Sequence, residues 1–137
     1  MALTHLVDTS VLTRLRRQEV REIITPLASA GQLGRTTMSD LEIGYSARNA
    51  DEWDRLTKAL EAFDLVEIHA RHFDRARQVQ RALASTGQRG RKIPDLLIAA
   101  AAEEQRLNLL HYDNDFALIA AVTGQAVDWI VPAGTID

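Results

Sequence analysis

With 137 residues, 46% of them hydrophobic and 26% charged, the chain has the size and make-up of one globular domain, which leaves no room for a second large core. It contains no cysteine, which excludes disulfide frameworks, thiolate zinc sites and a cysteine nucleophile, so any metal must be held by oxygen or imidazole. The net charge of −3 argues against a general polyanion binder, yet between residues 71 and 92 seven cations (Arg71, Arg75, Arg77, Arg81, Arg89, Arg91 and Lys92) face one acid, Asp74. That surplus suits either a solvated helix face or a basic rim beside an otherwise acidic surface.

The opening "MALTHLVDTS" lacks the basic stretch of a signal peptide, and no apolar run reaches 18 residues, so a cytoplasmic protein is expected. "THLVD" (4–8) reads as a short buried strand running into a helix start. Spaced apolar positions over 11–30 predict one or two helices closed by Gly31. "QLGRTT" (32–37) suits a second strand. "MSDLEIGYSARN" (38–49) and "ADEWDRLTKALEAF" (50–63) follow as helices. "DLVEIHA" (64–70) alternates like a strand, and 71–86 forms a basic amphipathic helix ending near Gly87. A flexible basic loop (87–94) leads to a helix over 95–106 so apolar at its start that it must be buried. "LNLLHY" (107–112) is a strand, "FALIAAVTG" (116–124) a helix and "AVDWIV" (126–131) a final strand. Alternation of strand and helix predicts an α/β fold, a three-layer α/β/α sandwich around a parallel sheet of about four to five strands, in one domain over 1–137.

In such sheets ligands bind at the carboxyl ends of the strands, and acids gather there. Asp8 follows the first strand, Asp113 and Asp115 the fourth, and Asp95 opens the buried helix behind Pro94. Each also has a local explanation as a helix cap or turn residue. Glu42 lies on an i, i+3, i+4, i+7 stripe with Met38, Leu41 and Tyr45, where a carboxylate interrupts an apolar face unless it sits at an edge or pairs with an arginine. If the fold brings these acids together, two carboxylates about 5 Å apart repel by roughly 3 kcal/mol at an effective dielectric near 20. A hard cation, Mg²⁺ or Mn²⁺, relieves that repulsion and equips the site for phosphoryl chemistry.

The order of these motifs resembles the PIN-domain nucleases, most closely the VapC-type toxins of bacterial toxin–antitoxin pairs. "LVDTSVL" is similar to the family's opening strand and turn, "SDLEIGYSA" to its second acidic motif, and "IPDLLIAAAAEEQRLNLLHYDNDF" to the third and fourth together. The resemblance covers nearly the whole chain. It implies that Asp8, Glu42, Asp95 and Asp113 are the catalytic, metal-holding acids, with Asp115 a fifth, and that Ser10 supports the site from behind. It further implies a Mg²⁺ or Mn²⁺ dependent endoribonuclease that activates water against a phosphodiester, a homodimer, and a small cognate antitoxin as partner. Arg89, Arg91 and Lys92 are then expected to contact RNA phosphates. The chain departs from the pattern at His111, where the family often has threonine. Asp40 points away from Glu42 on a helix and is left out of the site.

Other features have structural explanations first. His69 and His72 form H-x-x-H without a strong third ligand nearby. Trp53 and Trp129 suit packing better than base stacking. Neither "GQLG" nor "GQRGRK" is a phosphate loop, and "GYSAR" is no nucleophile elbow. Two other functions fit the acids: a catalytically inactive PIN-like module that binds a partner, and an acid-site phosphatase or phosphoacceptor. A haloacid-dehalogenase-like phosphatase, however, needs its D-x-D after the first strand, where this chain has "DTS".

Overall fold

Strands β1 (His5–Val7), β2 (Leu33–Arg35), β3 (Asp64–Leu65), β4 (Asn108–His111) and β5 (Val127–Trp129) form one parallel sheet in the order β3-β2-β1-β4-β5. The computed structural model describes residues 2–88 and 90–137. Helices α1 (Thr9–Leu12), α2 (Gln18–Ser29), α3 (Thr37–Gly44), α4 (Ala50–Lys58), α5 (Ala70–Ser85), α6 (Ile93–Glu104) and α7 (Asp115–Thr123) cover it, giving the expected three-layer sandwich.

The central strands β1 and β4 are buried on both faces, and their successive side chains enter different cores. Leu6 and Leu109 point into the core under α5, α6 and α7, with Val79, Leu83, Ile98, Phe116 and Ile119. Val7 and Leu110 point the other way, onto Val11, Val20, Ile24, Leu60 and Phe63. Each such side chain contributes about 1.5–3 kcal/mol on burial. Helix α6 is buried at every position from Asp95 to Ala102, as its alanine-rich start foretold.

Several boundaries differ from expectation for local reasons. The 11–30 region divides into α1 and α2, and the second ends at Gly31, whose φ of 69° stops the helix. Ladder pairing in "DLVEIHA" stops after Leu65, and α5 starts already at Ala70. Helix α4 tightens into a 3-10 turn over Ala59–Ala62. Helix α6 starts two residues early, at Ile93, because Pro94 is well tolerated in a first turn. The ring of Trp53 lies on Gly44, where an added Cβ would come within 2.2 Å of the indole nitrogen, so the glycine lets α4 dock against the end of α3. Trp129 packs on His111 and Tyr112 with ring centroids 5.0 and 5.4 Å apart. Both tryptophans therefore pack. Among the described residues no helix is long and apolar enough to cross a membrane.

Candidate metal centre

Strand order reverses across the sheet between β1, which leads to β2, and its other neighbour β4, which leads to β5. The crevice at the carboxyl ends of β1 and β4 is the place where such a fold presents ligands. Asp8 leaves β1 there, and Asp113 and Asp115 leave β4. Asp95 reaches the same end from the first turn of α6. Single carboxylate oxygens of Asp95, Asp113 and Asp115 all lie within 4.8 Å of one another.

Asp8 caps α1 at this same end of the sheet. Its Oδ2 accepts the Ser10 backbone N–H at 2.9 Å and the Ser10 hydroxyl at 2.6 Å, while Ser10 Oγ accepts the Tyr112 N–H at 2.8 Å. Ser10 thus ties the end of β1 to the end of β4. Asp8 Oδ1 and Asp95 Oδ2 are buried and have no hydrogen-bond partner among the described residues. Burying such an oxygen unpartnered is costly.

Electrostatics follow from this crowding. Burial raises the carboxyl of Asp8, against the pull of Ser10, and the negative charge of Glu42 adds to the rise. Burial pushes Asp95 up to about 8, reinforced by Asp8, Asp113 and Asp115 and partly offset by Lys92. Two cations answer the acids: Arg91 Nη1 donates to Asp115 Oδ1 at 2.6 Å, and Lys92 Nζ donates to Asp113 Oδ2 at 3.4 Å. Asp113, and after it Asp95, raises the ammonium of Lys92 in return. Arg89 lies outside the described residues.

Glu42 reaches this end from α3, but not on the expected grounds. Leu41 is 62% exposed and Tyr45 91% exposed, so the stripe around Glu42 is no buried apolar face. Helix α3 buries Ser39 instead. What aims the carboxylate is Thr9, whose hydroxyl donates to Glu42 Oε1 at 2.7 Å and lies 2.8 Å from Ser39 Oγ. Thr9 carried no signal in the sequence beyond its place after Asp8. Asp115 is not the helix cap. Asn114 precedes the helix, and the Asp115 N–H donates to Asp113 Oδ1 at 2.9 Å.

His111 does not supply the missing hydroxyl. Its Nδ1 accepts the Asp113 N–H at 3.2 Å, its ring packs on Phe116, and burial lowers it to about 4, so it is neutral. Asp40 forms a two-pronged pair with Arg35, at 2.8 and 3.2 Å. The H-x-x-H pair is structural: His72 Nδ1 accepts the His69 N–H at 2.8 Å, so its Nε2 donates to Glu104, 3.0 Å away. Arg71 pairs with Glu104 and Arg75 with Glu103, which removes both from any basic rim.

An all-carboxylate donor set with buried oxygens left unpartnered fits a hard divalent cation. The family model for the PIN domain matches residues 5–122. The chain is 64% identical to Ribonuclease VapC51 of Mycobacterium tuberculosis, over the full length of both, and 40% identical to Ribonuclease VapC21 of the same organism, over 98% of this chain and 99% of that one. In fold it is similar to the DNA-bound VapBC of Salmonella typhimurium, with a TM-score of 0.77, 16% identity, and 94% and 99% of the two chains covered. A toxin–antitoxin complex from Klebsiella pneumoniae aligns with a TM-score of 0.72 at 23% identity, over 93% and 98% of the chains. With the motifs in order, the acids at one end of the sheet and relatives aligned end to end, the chain belongs to the PIN-domain family, among its VapC members.

Proposed function

We propose that this protein is a Mg²⁺ or Mn²⁺ dependent endoribonuclease, the toxin of a toxin–antitoxin pair, with Asp8, Glu42, Asp95, Asp113 and Asp115 as its acids. The observation that carries the proposal is the convergence of Asp95, Asp113 and Asp115 within 4.8 Å beside the unpartnered buried oxygens of Asp8 and Asp95. The ribonuclease assignment is supported by the name of the 64% identical relative. A cation held by these acids would supply charge neutralisation at phosphate and would activate water for attack.

The chain's own part is positional. Ser10 and Thr9 fix Asp8 and Glu42, while the backbone at Asp115 fixes Asp113. Asp95, raised by burial, would hold a cation only in its ionised form. Arg91 and Lys92 stand at the lip of the site to meet RNA phosphate, a role also proposed for Arg89, which lies outside the described residues. A homodimer, a small antitoxin partner and a cytoplasmic setting complete the proposal; the antitoxin is supported by structural neighbours that are themselves toxin–antitoxin complexes.

The test is cleavage of a structured RNA mixture by antitoxin-free protein with Mn²⁺, Mg²⁺ or chelator, beside Asp95→Asn purified identically. Metal-dependent cutting by the parent alone is expected. Equal background from both proteins, with no heat of metal binding, points instead to an inactive partner-binding module.

A further inference from the structure

We infer that the exposed face of α5 is a phosphate track, which carries one arm of the RNA toward the acid site through Arg77 and Arg81. The inference rests on the ribonuclease reading and extends it to where the substrate lies. Arg71 and Arg75, in the first half of α5, are consumed by Glu104 and Glu103. Arg77 and Arg81 are different: both are exposed, and among the described residues neither makes a hydrogen bond or ion pair. One helical turn separates them, so they share a face.

That face is concave. A surface trough of about 640 Å³ is lined by Arg77, Arg81, Gln78, Gln80, Ala84 and one acid, Asp74. A second, of about 190 Å³, shares Gln80 and Ala84 with the first and continues along Gln88 and Gly90 to Arg91. Arg91 in turn touches Asp115 of the acid cluster. The two depressions make one path from the middle of α5 to the proposed metal centre. Besides the small and apolar Leu83, Ala84 and Gly90, its lining is three arginines and three glutamines against a single carboxylate, a charge balance that suits a polyanion backbone.

The other flank of the site is unlike it. Around Glu42 the concavities hold no cation: one is lined by Leu12, Thr13, Ile43, Ser46 and Leu60 and the other by Leu41 and Tyr45. Charge complementarity therefore assigns the backbone to the α5 side. From Arg77 to Ser85 the helix rises roughly 12 Å, about the length of four stacked nucleotides.

The experiment measures binding of a fluorescein-labelled, mixed-sequence single-stranded RNA by anisotropy across a salt series. It uses the full chain with Mg²⁺ in an Asp95→Asn background, so that the RNA stays intact. Phosphate contacts are blind to sequence, so a mixed pool serves. Arg77→Gln/Arg81→Gln is compared with Arg55→Gln/Lys58→Gln, which removes the same charge from α4, and melting temperatures confirm that both variants fold. The track predicts about tenfold weaker binding for the α5 variant and a log–log salt slope shallower by about 1.4, near 0.7 per lost contact, with the α4 variant close to the parent. An α5 variant that matches the parent, or an α4 variant that loses as much, overturns the track and leaves the nuclease reading standing. A parent that binds no RNA at any salt overturns both.

Discussion

Ser10 Oγ sits 2.6 Å from Asp8 Oδ2 and 2.8 Å from the Tyr112 nitrogen, so one hydroxyl couples the loops that follow β1 and β4. Ser10→Ala removes a donor to a buried carboxylate and strands a backbone N–H. The expected cost is about 1–3 kcal/mol by chemical denaturation, with metal affinity reduced about tenfold or more by calorimetry. Unchanged values for both would reduce Ser10 to a bystander.

Asp95 makes stability depend on pH with a definite sign. Its folded-state carboxyl titrates at about 8 against a reference of 3.8, so between these values the folded chain holds a proton that the unfolded chain has lost. Stability in chelator therefore falls as pH rises through that window, and the loss is complete above about pH 8. Asp8, also raised by burial, acts in the same direction. Asp95→Asn should melt like the parent near pH 4 and progressively above it toward pH 8, as thermal scans at fixed ionic strength will show. Parallel curves would contradict the burial assigned to this acid.

Lys92 and Arg91 already answer the charges that a metal ion would meet. Neutralising Lys92 as Lys92→Gln should tighten Mn²⁺ binding about fivefold, the equivalent of ~1 kcal/mol for a partly exposed ion pair. Isothermal titration measures this directly. Weaker binding would mean that the lysine orders Asp113 rather than competing for it.

Gly44 gives a prediction independent of chemistry. A methyl group there meets the Trp53 indole at 2.2 Å, inside any real contact distance. Gly44→Ala should cost about 1–3 kcal/mol through overpacking and displacement of α4, readable by denaturant titration and tryptophan fluorescence. A neutral result would show that α4 shifts freely.

Much of the candidate site was legible because it depends on position along the chain. Asp8, Asp95, Asp113 and Asp115 lie where strands end or a buried helix begins, and a parallel sheet collects those points at one edge. Glu42 was singled out for a reason the structure does not support: helical periodicity pairs it with Leu41 and Tyr45, yet those residues face solvent, and the Thr9 contact spans 33 residues of sequence. The basic run was likewise only half legible. Composition shows the cations, but only the antiparallel packing of α5 on α6 shows that Glu103 and Glu104 claim two of them. Strand β3 shrank to two residues because alternation in "DLVEIHA" marks extended chain, whereas a ladder needs a neighbour alongside.

Asp8 divides its two oxygens, one holding the start of α1 and the other left open in the crevice. Shape and charge at this position can therefore be lost separately. A change to Asn preserves the shape of the side chain while surrendering its charge, and a change to Ala loosens the helix start along with the pocket. The turn needs only an acceptor at position 8, which an amide or a serine also supplies, whereas the crevice needs the charge.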